Sequence, residues 1–322
     1  MADGSILRLS RSDPDFKGAV THCGCLGVVT QLTIQLVEDY DVKELKYFDV
    51  PCDHFINNIY SMLGACTSFN ANPAWSADTV MVTSLQTFVK RGTTVDDLPA
   101  DSWPETCFGA GTLSTAEVKP PTPVVGISGV TRWNTSLYLV PAANIMEELQ
   151  IEYFVPLEEA QGALRACWGV AKYWGELVPG DEDATPNWAH KAGYALPGSI
   201  ANYSHIRVIR ADDQWISPTT SARGQGAGYS GDTIAIGFGL NRALWGEDGA
   251  ALYREAAKME AALAPFGAQP HWGKLTTLKG QAMEQLYGER IIAFRELCNR
   301  HDPSGKFRNR WVDELLFAGA VE

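Results

Sequence analysis

Four stretches of the chain carry hydrophobic residues at the spacing of an amphipathic helix. In residues 53–63 the apolar side chains fall at positions i, i+3, i+4 and i+7, which places them along one side of a helix. Further helices are expected over residues 157–174, 250–263 and 289–300. The residues expected to share the apolar face of the second helix are Ala160, Leu164, Cys167, Ala171 and Trp174.

Strands are predicted elsewhere, and residues 5–10 and 28–36 alternate apolar and polar residues with a period of two. The predicted strands cover residues 5–10, 28–36, 79–90, 136–140, 148–156, 206–211 and 233–240. Strands and helices do not alternate as they do in a doubly wound parallel sheet, so the pattern favours an α+β fold with an antiparallel sheet and helices on one side. Residues 91–125 are rich in Pro, Asp, Thr and Gly, which predicts an excursion over the surface.

The composition describes a globular chain with an acidic balance. Of its 322 residues, 45% are hydrophobic and 20% are charged, which is typical of a folded protein. The net charge of −12 argues against a nucleic-acid partner, because phosphate contacts need clustered Lys and Arg. The chain contains no run of about 18 apolar residues, so no membrane span is predicted. The polar N-terminus lacks the apolar core of a signal peptide, and a cytoplasmic location is expected.

Several common catalytic and metal-binding motifs do not occur in the chain. The seven cysteines include no C-x-x-C pair, so no metal site is expected and free thiols in a reducing compartment are predicted. Residues 226–231 match G-x-G-x-x-G, but a strand-like segment follows where a dinucleotide-binding motif needs a helix, and a turn is the better interpretation. G-x-S-x-G, H-E-x-x-H and P-loop motifs are not found.

One candidate site lies in the segment that starts at His205. On a strand, the side chains of His205, Arg207 and Ile209 share one face. A guanidinium beside an imidazole could bind an oxyanion or polarise a hydroxyl group. The alternative interpretation is a surface arginine on an edge strand.

A second candidate site lies in residues 270–274, which group His271, Trp272 and Lys274 around a glycine that lets the backbone approach a ligand closely. The alternative here is a core tryptophan beside a solvated lysine. Further on, residues 301–309 indicate a helix end that runs into an Asp-Pro turn.

These segments, in this order, resemble the flavin-linked alditol and aldonolactone oxidases of the vanillyl-alcohol oxidase superfamily. Residues 205–218 resemble the family stretch E-I-R-x-x-x-A-D-x-x-W-L-S-P, and residues 302–309 resemble its terminal D-P-x-G-K-F-x-N. Residues 16–36 look like the F-x-G-A-V-x-x-x-G-x-L-G-V-V-T segment that closes the family's flavin-binding domain. Residues 148–156 resemble the L-Q-S-E-Y-x-x-P strand of its substrate domain. The resemblance covers essentially the whole chain.

The resemblance implies an FAD-dependent oxidase that acts on a small alcohol, sugar or aldonolactone. The substrate carbon would give a hydride to flavin N5, and oxygen would reoxidise the flavin and yield peroxide. Lys274 and Arg207 would hold the reacting hydroxyl beside the flavin, and His205 would accept its proton. The residues that the resemblance assigns to cofactor contacts are Gly24, Gly27, Val28, Val29 and His271.

The resemblance also implies three parts in the chain. Residues 1–42 would be the end of an FAD-binding domain, residues 43–274 the substrate domain, and residues 275–322 a segment that returns to the FAD-binding domain. The N-terminal half of that domain has no counterpart in this sequence, so it is an expected partner, and the chain alone is expected to bind FAD weakly or not at all. The apolar face of strand 28–36 would then be exposed or paired with another copy.

Two differences from the family pattern bear on the substrate. His205 replaces the family's carboxylate, so the charge pairing with Arg207 is expected to be lost. Gly237 and Gly239 remove side chains that would contact a polyol, which is expected to widen the pocket and to favour a substrate other than a simple linear alditol. Two alternatives remain open. The chain could be a non-catalytic remnant or binding module that keeps the substrate-domain fold without flavin, or part of a longer sequence whose upstream segment carries the flavin loop.

Overall fold

Eight strands among the described residues form one antiparallel sheet. The computed structural model describes residues 1–93, 97, 129–132, 148–174, 200–220, 231–241 and 249–317. The strands are β1 (Tyr40–Pro51), β2 (Ser68–Ala74), β3 (Thr79–Lys90), β4 (Gly129–Arg132), β5 (Glu148–Pro156), β6 (Ala201–Ile209), β7 (Thr233–Asn241) and β8 (Gln269–Pro270). Their order across the sheet is β4-β1-β3-β2-β6-β7-β5-β8, and all neighbouring pairs are antiparallel.

Three helices cover one face of this sheet and form the main hydrophobic core with it. They are α2 (Cys52–Gly64), α3 (Ala160–Ala171) and α4 (Ala250–Leu263). Because side chains alternate along a strand, one set of strand residues is buried against the helices and the other set lies on the opposite face. The buried, helix-facing residues of the central strands are Ile151, Tyr153, Val155, Ile206, Ile234, Ile236 and Phe238. We call the face opposite these helices the far face.

A second, smaller hydrophobic cluster brings the two ends of the chain together. Its helices are α1 (Phe16–Ala19), α5 (Gln281–Tyr287), α6 (Glu289–His301) and α7 (Arg310–Val312). Cys25 and Leu26 of the N-terminal segment share this cluster with Phe294 and Leu297 of α6. Arg300 also pairs with Asp15 at 2.7 Å. The N-terminal segment therefore packs against the last helices rather than against the sheet core.

The predicted α+β fold is confirmed, and most elements that carry a strong local pattern are in place. Helix α4 begins and ends at the expected residues, α2 extends by one residue at each end, and α6 extends by one residue at its C-terminal end. Helix α3 is shorter than predicted because a 3-10 turn, Leu157–Glu159, precedes it and a turn follows it. All five residues predicted for its apolar face are buried. Strands β3 and β5 match their predictions, and β7 extends by one residue.

The prediction of strands near the N-terminus was wrong. Residues 5–10 and 28–36 have no regular secondary structure, while β1 and α5 were not predicted at all. An alternating pattern becomes a strand only when a neighbour supplies hydrogen bonds, and β1 pairs instead with β3 and β4. The apolar side chains of this segment are exposed, as expected, with Val28 at 74% and Leu36 at 82%.

Some predictions lie outside the described residues. These are the strand at 136–140, most of the excursion at 91–125, and residues 226–230 of the glycine motif. Strand β7 does start two residues after Gly231, in agreement with the interpretation of that motif as a turn before a strand. In the described part of the chain, no helix is both long and apolar enough to cross a membrane.

Candidate active site

Polar side chains of neighbouring strands meet on the far face of the sheet. The register of β6, β7 and β5 places His205 opposite Gly237, and Gly237 opposite Glu152. Arg207 lies two residues along β6 from His205, so both point to the same face, as predicted. The other strand face carries the core, so this cluster sits on a rigid floor that the helices support from behind.

Glu152 is the centre of this cluster. Its Oε1 accepts a hydrogen bond from Nη2 of Arg207 at 2.6 Å and lies 3.2 Å from Nε2 of His205. Its Oε2 accepts from Nζ of Lys274, also at 2.6 Å. The Glu152 side chain is 1% exposed, against 17% for Lys274 and 48% for Arg207. One buried carboxylate therefore holds the three residues that the sequence assigned to catalysis.

The surroundings of Glu152 keep it ionised. Burial would raise its pKa, but the hydrogen bonds from His205 and Lys274 and the charge of Lys274 hold the pKa well below its usual range. Two cations, Arg207 and Lys274, face this single carboxylate. The cluster therefore keeps a net positive charge that can stabilise negative charge on a ligand oxygen.

His205 is a neutral imidazole in this setting. Burial is the main cause that lowers its pKa; the hydrogen bond and charge of Glu152 oppose this, while the charges of Arg207 and Lys274 add to it. Nε2 lies 3.2 Å from Oε1 of Glu152 and 3.3 Å from Nη2 of Arg207. We assign the ring proton to Nε2, because Arg207 already donates to the same carboxylate at 2.6 Å and the buried Oε1 accepts from both. Nδ1 then keeps the lone pair that can accept a proton.

A tight turn after β8 brings Lys274 to the cluster. The backbone N–H of His271 donates to the carbonyl oxygen of Glu152 at 2.8 Å, and that of Leu275 donates to Gln150 at 2.9 Å. Between them, the N–H of Lys274 donates to the carbonyl of His271 at 2.9 Å. The turn is thus attached to β5 at both ends, which fixes where the ammonium group can reach.

Two further contacts hold this turn from outside. Nε1 of Trp272 donates to the carbonyl oxygen of Ile216 at 2.9 Å, which ties the turn to the loop after β6. Just past the turn, the buried carboxylate of Glu260 on α4 accepts from Oγ1 of Thr276 at 2.7 Å and from the N–H of Thr277 at 3.0 Å. Lys274 is therefore anchored through its flanks to the helix layer as well as to the sheet.

His271 lies beside the cluster but does not join it. Its Nδ1 accepts a hydrogen bond from the N–H of Gly273 at 3.0 Å. Its ring contacts Phe154 and Trp272, with centroid distances of 5.8 and 5.5 Å. Burial lowers its pKa, and the charge of Lys274 lowers it further. His271 is therefore a neutral ring on the wall of the site, with Nε2–H as its remaining donor.

The other four residues assigned to the cofactor lie in the N-terminal segment. Gly24 has a φ of 81°, a conformation that favours glycine, and a Cβ there would meet no atom within 4 Å. Gly27 also has positive φ, at 153°. Val28 and Val29 are mostly exposed. Among the described residues, the side-chain partners of Glu152 are His205, Arg207 and Lys274, so the structure does not bring these four into the cluster.

Glu152 is not among the residues that the sequence assigns to the site, and two of its neighbours differ from expectation. The signal for Glu152 was the polar series Glu148, Gln150 and Glu152 at alternate positions of a predicted strand. Arg207 does not lose its carboxylate partner, since Glu152 supplies one from β5. Gly237 does not widen the pocket, because the ring of His205 fills the space: a Cβ at Gly237 would lie 2.3 Å from Cε1 of that ring.

Metal ligands and thiols are the other reactive groups in the described residues. No group of three or more His, Cys, Asp and Glu side chains there is arranged to hold a metal ion. The six cysteines in the described ranges are free thiols. The cluster around Glu152 is therefore the best-formed chemical site in the part of the chain that the structure covers.

The comparisons with known proteins agree with the class that this site suggests. Residues 205–315 match the family model of D-arabinono-1,4-lactone oxidase. The matched region starts at His205 and includes Arg207, His271 and Lys274, and the resemblance expected from the sequence is confirmed. This family and alditol oxidase are FAD-dependent flavoproteins.

Individual relatives are oxidases of alcohols and lactones. The chain is 28% identical to an alditol oxidase of Streptomyces sp. over 98% of this chain and 66% of that enzyme. It is 29% identical to a long-chain alcohol oxidase of an uncultured marine euryarchaeote, over 57% of this chain and 38% of that one. An L-gulonolactone oxidase of Scyliorhinus torazame is 30% identical over 35% of this chain and 23% of that enzyme. The chain thus spans 66% of the length of the alditol oxidase that it matches.

Solved structures give only a weak similarity. The structure of FgChi7B has a TM-score of 0.49 with 9% identity, over 86% of this chain and 56% of that one. The structure of BBE-like #28 from Arabidopsis thaliana has a TM-score of 0.46 with 8% identity, over 88% and 58%. Similarity at this level carries no conclusion about function.

Proposed function

We propose that this chain is the substrate-binding part of an FAD-dependent oxidoreductase that oxidises a CH–OH group of a polyol, sugar or aldonolactone, with oxygen as the final electron acceptor. The observation that carries the proposal is the cluster of Lys274, Arg207 and His205 around the buried carboxylate of Glu152. Its net positive charge suits a hydroxyl group that becomes more anionic as it reacts.

Each residue of the cluster has a separate task in this proposal. Lys274 and Arg207 donate hydrogen bonds to the reacting oxygen and stabilise the charge that develops on it. His205 takes the hydroxyl proton at Nδ1 while its Nε2–H remains on Glu152. Glu152 orients all three donors. FAD, when bound, accepts the hydride from the carbinol carbon.

Three features of the described residues support an FAD molecule on the substrate side. The cluster offers positive charge where a reacting alcohol needs it, and the ring of His271 lines the same side. In the N-terminal segment, Gly24 has open space where a side chain would lie, and Val28 is exposed, so the backbone there is accessible to a ligand. We assign the cofactor contacts of this proposal to Gly24, Gly27, Val28, Val29 and His271. The three-part domain division and a cytoplasmic location belong to the same proposal.

A second candidate is a non-catalytic module that binds an alcohol or sugar without flavin. The specific observation in its favour is His205, which stands where the family pattern has a carboxylate. Both candidates use the same cluster for the ligand. They differ in whether electrons leave the substrate.

The test combines the purified chain, an excess of FAD to offset weak binding, and a panel of alditols, sugars and aldonolactones without oxygen. Oxidation predicts loss of flavin absorbance and, after oxygen is admitted, release of peroxide. Lys274→Met should slow flavin reduction by about 100-fold or more, whereas Lys279→Met, in a surface ion pair, serves as the matched control and should not. Ligand binding without flavin reduction would favour the second candidate. Reduction that Lys274→Met leaves unchanged would contradict the assignment of the site.

A further inference from the structure

Two aromatic rings cross over strand β7 on the far face of the sheet. The first is His205, whose ring occupies the position that a side chain at Gly237 would need, with Cε1 2.3 Å and Nε2 2.4 Å from a Cβ built there. The same ring reaches Glu152 on β5, on the other side of β7. Only glycine at position 237 leaves room for this bridge.

The second ring belongs to Tyr203 and repeats the arrangement one row away. Tyr203 lies opposite Gly239, and Gly239 lies opposite Gln150. Nε2 of Gln150 donates to Oη of Tyr203 at 2.7 Å. Strands β6 and β5 are two spacings apart, about 9.6 Å, so these side chains can meet only above β7. Gly239 has no side chain that would block this contact.

The two rings form one surface. Tyr203 and His205 are neighbours on the same face of β6, with ring centroids 5.8 Å apart and an interplanar angle of 24°. We call this pair the aromatic floor. Polar groups surround it: Gln150 and Glu152 along β5, and the cations Arg207 and Lys274 at the same end as Glu152. The ring faces of this floor, with the polar groups of Gln150, Glu152, Arg207 and Lys274 as its rim, match a ligand whose faces carry C–H groups and whose edge carries hydroxyls.

We propose that the aromatic floor of Tyr203 and His205, held over Gly237 and Gly239, determines specificity by taking the face of a polyhydroxylated ring rather than an open-chain polyol. A ring presents several C–H groups at once to the electron-rich face of an aromatic side chain. Its hydroxyl groups then lie at the edge, within reach of the rim. An open-chain polyol presents hydroxyl groups towards the floor, where the two rings offer few partners. This inference rests on the proposed function for the identity of the reacting group, but its binding test does not need flavin.

The geometry is tested by a pair of linked substitutions. Gly237→Ala should lower the urea midpoint of unfolding, because the new methyl group displaces the His205 ring. His205→Ala removes the ring, so the double variant should be no less stable than His205→Ala alone. If the losses of stability from Gly237→Ala and His205→Ala simply add in the double variant, the ring does not lie over Gly237 and the inference is overturned.

The specificity is tested by two polyols with the same numbers of carbons and hydroxyls, myo-inositol as a ring and sorbitol as an open chain. Titration of the isotope-labelled chain should shift the ring signals of Tyr203 and His205 with myo-inositol at about 3- to 10-fold lower concentration than with sorbitol. Tyr203→Leu should abolish this preference, whereas Tyr203→Phe should keep it. Tyr253→Leu, at an exposed tyrosine on α4, is the control and should also keep it.

Each outcome separates this inference from the proposed function. Equal binding of both polyols, no binding of either, or a preference that survives Tyr203→Leu overturns the aromatic floor. Benzyl alcohol serves as a third ligand, and stronger binding of it than of myo-inositol would show that the floor takes aryl rings instead. A ring preference without any flavin reduction would leave the floor in place and remove the oxidase proposal. Flavin reduction without a ring preference would keep the oxidase proposal and remove the aromatic floor.

Discussion

Replacement of Glu152 by glutamine should lower the free energy of unfolding by about 3 kcal/mol. Glutamine keeps the shape of the side chain but removes the charge that two cations share. Loss of one partner of a buried ion pair is costly because the other charge stays buried without compensation. Lys274 is in that position, since its side chain is only 17% exposed. Arg207 is 48% exposed and can return to water, so its share is below about 1 kcal/mol.

The effect should also depend on pH in one direction. The pKa of Glu152 in the folded chain lies below the value of 4.5 expected for an unperturbed glutamate. Its contribution to stability is therefore fully present above pH 4.5 and is lost as the pH falls below that value towards the folded-state pKa. The difference between wild type and Glu152→Gln should be constant near neutral pH and should shrink in acid.

Urea unfolding of both chains, followed by circular dichroism over a range of pH, measures both quantities. The matched control is Glu314→Gln, which also removes a carboxylate with two cationic partners, Lys279 at 2.5 Å and Arg310 at 2.6 Å, but at a side chain that is 36% exposed. That change should cost much less stability than Glu152→Gln, because water screens an exposed ion pair. If both variants lose the same stability, or if the Glu152→Gln difference does not shrink in acid, the central role of Glu152 is wrong.

Three more outcomes are expected from single contacts. Gly169→Ala should stabilise the chain by about 0.5–1 kcal/mol, because a Cβ there would meet no atom within 4 Å. Gly162→Ala should not stabilise it, because its Cβ would lie 2.5 Å from the ring of Phe266. Equal midpoints of thermal unfolding for the two variants would contradict this. Trp272→Phe loses one hydrogen bond to a backbone carbonyl and should cost about 1 kcal/mol in urea unfolding; unchanged stability would show that the bond does not hold the turn. Ile34→Glu should reduce self-association in sedimentation more than Gln35→Glu does, because only the first removes an exposed apolar side chain; equal effects would point to charge alone.

The sequence predicts the elements whose own side chains define a buried face. Helix α2 follows from a stripe that is complete within three turns. Strand β3 follows from a long run rich in Val and Thr, and it has a partner strand on each side. The segment 28–36 alternates as well, yet it forms no strand. Its hydrogen-bonding groups need a neighbour that the described chain does not offer, and that requirement cannot be read from local spacing. Strand β1 was not predicted, because its polar residues obscure the alternating pattern, although β3 and β4 supply its hydrogen bonds.

The candidate site was predictable in part, for a similar reason. His205 and Arg207 are two residues apart on one strand, so their common face follows from the period alone. Lys274 reaches them only because the turn after β8 attaches to β5 at both ends. The place of Glu152 depends on the register between β5 and β7, which is a contact between distant parts of the chain. The roles proposed for the cofactor residues stay predictions.

The position of the His205 ring above Gly237 couples these two residues. A side chain at position 237 and an imidazole in its present place at position 205 exclude each other, because both would occupy the same volume. Any redesign of this face of the sheet therefore has to change positions 205 and 237 together, since a side chain at 237 fits only when the ring at 205 is smaller or turned away.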